Sequence, residues 1–144
     1  MTLDVEPKEF FELLAASVLH DINTSTNNNF ELKDISAGYS YKKRILNKFA
    51  RQIEATVTIN KFEMPLVYEA SFKTLRGTNT VGYYIEDLQG SALVRYSEVF
   101  KGVSSFADIN YNFMSIFFKK NTKKRIKNML RLMESHILNQ KKQM

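Results

Sequence analysis

The chain contains no cysteine. That excludes a disulfide framework, thiol catalysis and thiolate metal sites, and a reducing compartment is the simple reading. The glycines at 38, 77, 82, 90 and 102 are isolated from one another, so there is no glycine-rich loop to cradle a phosphate. No apolar run approaches the ~20 residues needed to cross a bilayer; the best lies around Phe113–Phe118. The opening stretch, Met1-Thr2-Leu3-Asp4-Val5-Glu6, lacks the basic-then-apolar order of a secretory leader. A cytoplasmic location is therefore expected. His20 and His136 each lack a second ligand at metal spacing, and no serine sits in a nucleophile-elbow context. Glu86 and Asp87 are adjacent and would point to opposite faces of a strand. These absences leave no catalytic residue, metal or cofactor to name, which favours a binding role over an enzyme and leaves an enzyme open.

What is present fits one domain over residues 1–144, long enough for a real core and too short for two. Apolar content of 44% and charged content of 25% are ordinary for a folded protein. The net charge of +6 is unevenly placed. Residues 119–144 carry nine Lys or Arg against Glu134 alone, giving +8, and the rest of the chain carries twelve bases and fourteen acids, giving −2. Residues 1–37 hold seven acids and two lysines, net −5, so the basic end has an acidic counterpart within the chain.

Thr2–Glu6 can form a short strand. Pro7 then suits a first helical turn, where a missing N–H costs nothing, and Glu9 and Glu12 complement the positive helix end. Phe11, Leu14, Ala15, Val18, Leu19 and Ile22 make one stripe, which predicts an amphipathic helix over about 7–22, ended by the polar run Asn23–Asn29. From Ala37 to Lys101 the period changes to two. Ala37, Tyr39 and Tyr41 alternate with polar residues, as do Ile53, Ala55, Val57 and Ile59, and then Tyr68, Ala70 and Phe72. Val81, Tyr83 and Ile85 follow, then Ala92, Val94, Tyr96 and Phe100. Turn chemistry separates these runs at Met64-Pro65, Arg76–Asn79 and Asp87–Gly90. Connections this short cannot hold crossover helices, so the strands should pair as an antiparallel meander. One apolar face per strand needs a cover, and the terminal helices are the candidates. Ser104 or Ser105 can cap a second helical region, 106–140, with stripes at Ile109, Phe113, Ile116, Phe117 and at Ile126, Met129, Leu130, Met133, Ile137. Whether it is one helix or is broken near Asn121-Thr122 stays open.

This order of elements resembles the START-like (SRPBCC) superfamily, whose helix-grip fold is shared with the major birch pollen allergen. The text is also similar to a group of small uncharacterised bacterial proteins of that superfamily. The resembling segments are Phe10-Phe11-x-x-Leu14-x-x-Ser17-Val18-Leu19-x-Asp21-Ile22, Tyr39-Ser40-Tyr41, Tyr96-Ser97-Glu98, and Phe118-Lys119-Lys120 through Lys127-x-Met129-Leu130. The resemblance implies an α+β fold: an antiparallel sheet wrapped around a long C-terminal helix, often with a ligand cavity between them. Six strands including the first, and a loop at Asn23–Ser36 where a second helix often lies, depart from the commoner layout.

Two functions follow. The first is a binding module for a small apolar or amphipathic ligand held between sheet and C-terminal helix. Its cavity candidates are Tyr39, Tyr41, Phe72, Tyr83, Tyr96, Glu98, Phe113 and Phe117. Inward aromatics with several hydroxyls make up a usual small-ligand site, and they equally fill a core. Glu98 shares the parity of Val94 and Phe100, so a carboxylate is expected on the apolar face or at its rim, with Tyr39, Tyr41 or Tyr83 as companions. The alternative is an interaction protein that uses Lys119, Lys120, Lys123, Lys124, Arg125 and Lys127 on an anionic partner: nucleic acid, a membrane surface or an acidic protein. Phe117 and Phe118 stop short of that cluster instead of interleaving with it, which weakens the nucleic-acid version.

Overall fold

In the computed structural model of the protein, residues 1–46, 51–102 and 105–143 are described, the side chains of 105–122 excepted. The order is β1 (Thr2–Leu3), α1 (Pro7–Thr26), a 3-10 turn at Leu32–Asp34, β2 (Ser40–Leu46), β3 (Gln52–Glu63), β4 (Val67–Thr74), β5 (Gly77–Asp87), β6 (Ala92–Gly102) and α2 (Ser105–Lys142). Six strands among the described residues form one sheet in the order β1-β6-β5-β4-β3-β2, antiparallel at each pairing. β2 to β6 form the expected meander. β1 joins the other edge, where Thr2 faces Leu93 and Leu3 faces Ala92. The architecture is α+β, a helix-grip sheet wrapped around a long C-terminal helix.

Side-chain parity decides which face is buried. Ala55, Val57 and Ile59 are fully buried, whereas Glu54 is exposed on the opposite face. The register then slips between Ile59 and Lys61. A bulge of this kind reverses parity and bends the strand, so Phe62 returns to the inner face opposite Tyr68. Asn60, the extra residue, bonds sideways to Glu69 and Ser71 at 3.1 and 2.7 Å. α1 lays Phe10, Phe11, Leu14, Ala15, Val18 and Ile22 against this face, all buried. Phe11 meets Phe62 edge-on at 5.3 Å and Phe10 meets Tyr83 at 6.1 Å. From α2, Leu130 and Ile137 complete the core.

Four boundaries differ from the sequence reading. β1 stops at Leu3 and does not reach Glu6. α1 runs to Thr26 instead of Ile22, with Asn27 closing it in the left-handed conformation. The polar run does not end the helix because its side chains bond locally. Thr26 Oγ1 donates to the Ile22 carbonyl at 2.7 Å, and the Asn23 amide both donates to and accepts from the backbone of Phe30. β2 starts at Ser40, beyond Ala37 and Tyr39, since Gly38 sits at φ +95° in a turn. β5 starts at Gly77, so Gly77, Thr78 and Asn79 are strand and not turn. The connection is only Leu75-Arg76. Gly77 is needed there because a side-chain carbon would strike the Lys101 carbonyl and the Phe100 ring. α2 is one helix through Asn121-Thr122, in keeping with the good helix propensity of the Lys and Arg around them.

Candidate functional site

The inner face of the sheet is built in rungs by cross-strand pairing. One rung is Val57, Phe72, Asn79 and Phe100; the next is Ile59, Ala70, Val81 and Glu98; the third is Phe62, Tyr68, Tyr83 and Tyr96. Two polar residues, Asn79 and Glu98, thus stand among aliphatic and aromatic neighbours on the face that α1 and α2 cover. Glu98 Oε1 accepts from Asn79 Nδ2 at 3.0 Å. Its Oε2 accepts from the Tyr96 hydroxyl at 3.2 Å and from Arg125 of α2 at 3.4 Å. The Glu98 side chain keeps 24% of its exposure, so it lies at the rim of the buried face, with Arg125 as its cation. Arg125 is itself 69% exposed, and pairs of that kind contribute less than ~1 kcal/mol. Asn79 Oδ1 is buried and has no hydrogen-bond partner among the described residues. An acceptor left in that state costs about 1–3 kcal/mol.

The tyrosines of this cluster are held neutral. Burial, then the field of Glu98, pushes the Tyr83 phenol up to about 12, with Arg125 offsetting part of the effect. Tyr96 is raised further by burial, the Glu98 field and its bond to that carboxylate. The two rings meet edge-on at 5.1 Å, and the Tyr83 hydroxyl lies 3.9 Å from the Met129 sulfur. Tyr83, Tyr96 and Glu98 therefore come together in one cluster.

Tyr39, Tyr41 and Phe72 belong to a second group near β2 and do not bond to Glu98, against expectation for the first two. Tyr39 stacks on Tyr41 at 5.9 Å and meets Phe30 at a tilt, 5.3 Å between centroids. The Tyr41 hydroxyl donates to Asp21 of α1, and Lys43 reaches the other oxygen of that carboxylate at 2.8 Å while standing 6.0 Å over the Phe72 ring. Burial first, then the Asp21 acceptor, raises the Tyr41 phenol. This group clamps α1 to the sheet edge. The side chains of Phe113 and Phe117 lie outside the described residues, as do those of Lys119 and Lys120.

Lys123, Lys124, Arg125 and Lys127 are exposed on α2. An open groove of about 610 Å³ runs along that helix, lined by Lys124, Arg125, Asn128, Met129, Leu132 and Met133. Two of its lining residues, Arg125 and Met129, are those that touch Glu98 and Tyr83. The acidic N-terminal third is matched elsewhere on the helix: Lys141 pairs with Glu9 at 2.8 Å. Both histidines are exposed, and no cluster of metal-ligating side chains occurs among the described residues. No helix among them is long and apolar enough to cross a membrane.

Sequence reasoning missed Asn79 and Lys43. Parity counted back from Val81 would have found the first, had residues 76–79 not been read as a turn. Parity counted on from Tyr41 would have found the second.

The family described as a domain of unknown function, DUF3284, matches residues 1–119. No curated protein matches the chain. Among solved structures, the crystal structure of Ara h 8.0201 superposes with a TM-score of 0.60 over 96% of this chain and 94% of that one, at 10% identity. At that identity the likeness is one of fold.

Proposed function

The chain belongs to the DUF3284 family, and we propose that it is a non-enzymatic, START-like binding module acting as one unit over residues 1–144. Its ligand has an apolar body and a polar end that carries hydrogen-bond donors. The observation that carries this reading is a buried Asn79 Oδ1, without a hydrogen-bond partner among the described residues, beside the Glu98 carboxylate that Asn79 Nδ2 holds, on an otherwise apolar and aromatic wall. Both are acceptors, so a hydroxyl, amide N–H or ammonium satisfies them and an ester or ether does not. The weak Arg125–Glu98 contact is cheap to displace, and the groove beside Met129 offers an approach. Tyr83, Tyr96, Asn79 and Glu98 form the polar end of the site, with Phe72, Phe113 and Phe117 assigned to its apolar part and Tyr39 and Tyr41 to its margin. The setting is a bacterial cytoplasm, in keeping with the lack of cysteine.

Native mass spectrometry of the protein as purified, followed by a thermal-shift panel of long-chain alcohols, amines, amides and esters, tests this. A retained small molecule, or stabilisation by donor-bearing members that Asn79→Leu abolishes, supports the module. A bare mass together with equal indifference to every member of the panel overturns it.

A second reading rests on the exposed Lys123, Lys124 and Lys127: an anionic partner bound by α2. Counterion release requires such binding to weaken steeply with salt, so a titration with DNA and RNA at two ionic strengths separates it from the first.

A further inference from the structure

One end of the sheet carries exposed apolar side chains set among bases, the bases standing on the face opposite the ligand site. Cross-strand pairing places Lys42, Thr56, Lys73, Thr78 and Lys101 in a single row over β2 to β6 on the outer face. Strands lie about 4.8 Å apart, so the three lysines repeat at roughly 10 Å along a line. All three are exposed, and Arg44 and Arg76 add exposed charge at the same end. Glu54 is the acid set among them, paired with Lys42 at 3.7 Å.

Beyond the lysine row the chain turns, and there its apolar residues meet solvent. Leu75, in the two-residue connection between β4 and β5, is 97% exposed, and Leu46 at the end of β2 is 67% exposed. The tip is held in place: the Arg76 amide donates to Thr74 Oγ1 at 3.2 Å and Gly77 has no room for a side chain. Leu75 lies two residues past Lys73, about 7 Å along the strand direction. An interfacial side chain is buried about 5–10 Å into the boundary between headgroups and acyl chains, while bases remain at the headgroups.

We infer that this end of the sheet docks on an anionic membrane surface, with Leu75 and Leu46 entering the interface and Lys42, Lys73, Lys101, Arg44 and Arg76 meeting lipid headgroups. A nucleic acid fits the surface less well. Among the described residues the row alternates lysine with threonine and presents no aromatic ring for a base to stack on, and a polyanion gives the exposed leucines nothing to enter.

Sedimentation with vesicles of phosphatidylcholine, with and without phosphatidylserine, tests the inference on the full chain. Binding is expected only with phosphatidylserine. Lys73→Glu with Lys101→Glu lowers it by about fivefold per base and removes most of the salt dependence. Leu75→Ser lowers it about tenfold and leaves the salt dependence in place. The protein has no tryptophan, so Leu75→Trp introduces a lone reporter whose emission moves to shorter wavelength on these vesicles and is quenched by shallow lipid-borne quenchers. These positions are exposed, and an unchanged thermal melt shows that each variant is folded. Three results overturn the inference: no binding to anionic vesicles at low salt, binding lost on reversal of Lys123, Lys124 and Lys127 but not of Lys73 and Lys101, or indole emission from the Leu75→Trp variant that stays unchanged on vesicles that do bind.

Discussion

Tyr83 and Tyr96 meet edge-on at the inner face of the sheet, and each loses more by ionising there than it would in water. Burial is the leading cause for Tyr41, Tyr68, Tyr83 and Tyr96 alike, followed by Asp21 for the first, Tyr83 for the second and Glu98 for the other two. The sign of the linkage follows. A phenol whose folded value lies above its ordinary 10.0 contributes stability that is complete below pH 10 and is lost as pH rises through the folded value, about 12 for Tyr83. Absorbance titration of tyrosinate should therefore show these four ionising together with unfolding above about pH 12 and not as free phenols near pH 10. Four early, reversible ionisations in a folded protein would contradict the packing described. At this scale Glu98 was legible, because strand parity fixes a face without reference to distant partners. Arg125 was named for its charge but not as the partner of Glu98, since the contact depends on where α2 crosses the sheet. Asn79 was hidden by a turn signal that Gly77 emits for a different reason, the crowding against β6.

α1 shows how an element can outlast the pattern that announces it. Its apolar stripe gave the face and the buried set well; Phe10 was the omission, a second buried phenylalanine beside the stripe. The helix continues four residues past the stripe through side-chain bonds that hydropathy does not record. Asn23 grips the Phe30 backbone from both sides, N–H and C=O, at 2.7 and 3.1 Å. Asn23→Ala removes both bonds and is expected to cost about 1–3 kcal/mol, read as a lower urea midpoint with an unchanged slope. Hydrogen exchange at the Phe30 amide should rise well before that of β3. If the Phe30 amide is no less protected in the variant, the last turn of α1 is held by something else. Phe11→Ala belongs to the same element and to a different cause: a fully buried ring lost from contact with Phe62, expected at about 3–5 kcal/mol.

For the whole molecule the decisive contacts join the two ends of the chain. β1 pairs with β6, and α2 crosses near it, so that the buried Glu134 accepts from the Asp4 amide at 2.7 Å and from Arg131 at 2.9 Å. The meander order was readable from connection lengths; this closure was not, because a two-residue strand carries no periodicity and its partner lies some ninety residues away. Burial alone raises the Glu134 carboxyl, but the Asp4 amide and Arg131 outweigh it and hold the group below its ordinary 4.5. A depressed carboxylate contributes stability that is complete above the unfolded value and is lost as pH falls through the folded one. Glu134→Gln keeps an acceptor for Asp4 but gives up the charge, and charge-assisted bonds are about twice as strong as neutral ones. The variant should be less stable than the parent by about 1 kcal/mol at pH 7, in urea titrations. The gap should narrow as pH falls below 4.5 and close once pH has passed below the folded value, where the parent's carboxyl is protonated too. A gap of constant size across that range would mean that Glu134 holds the C-terminal helix to the first strand by shape and neutral hydrogen bonding, with its charge idle.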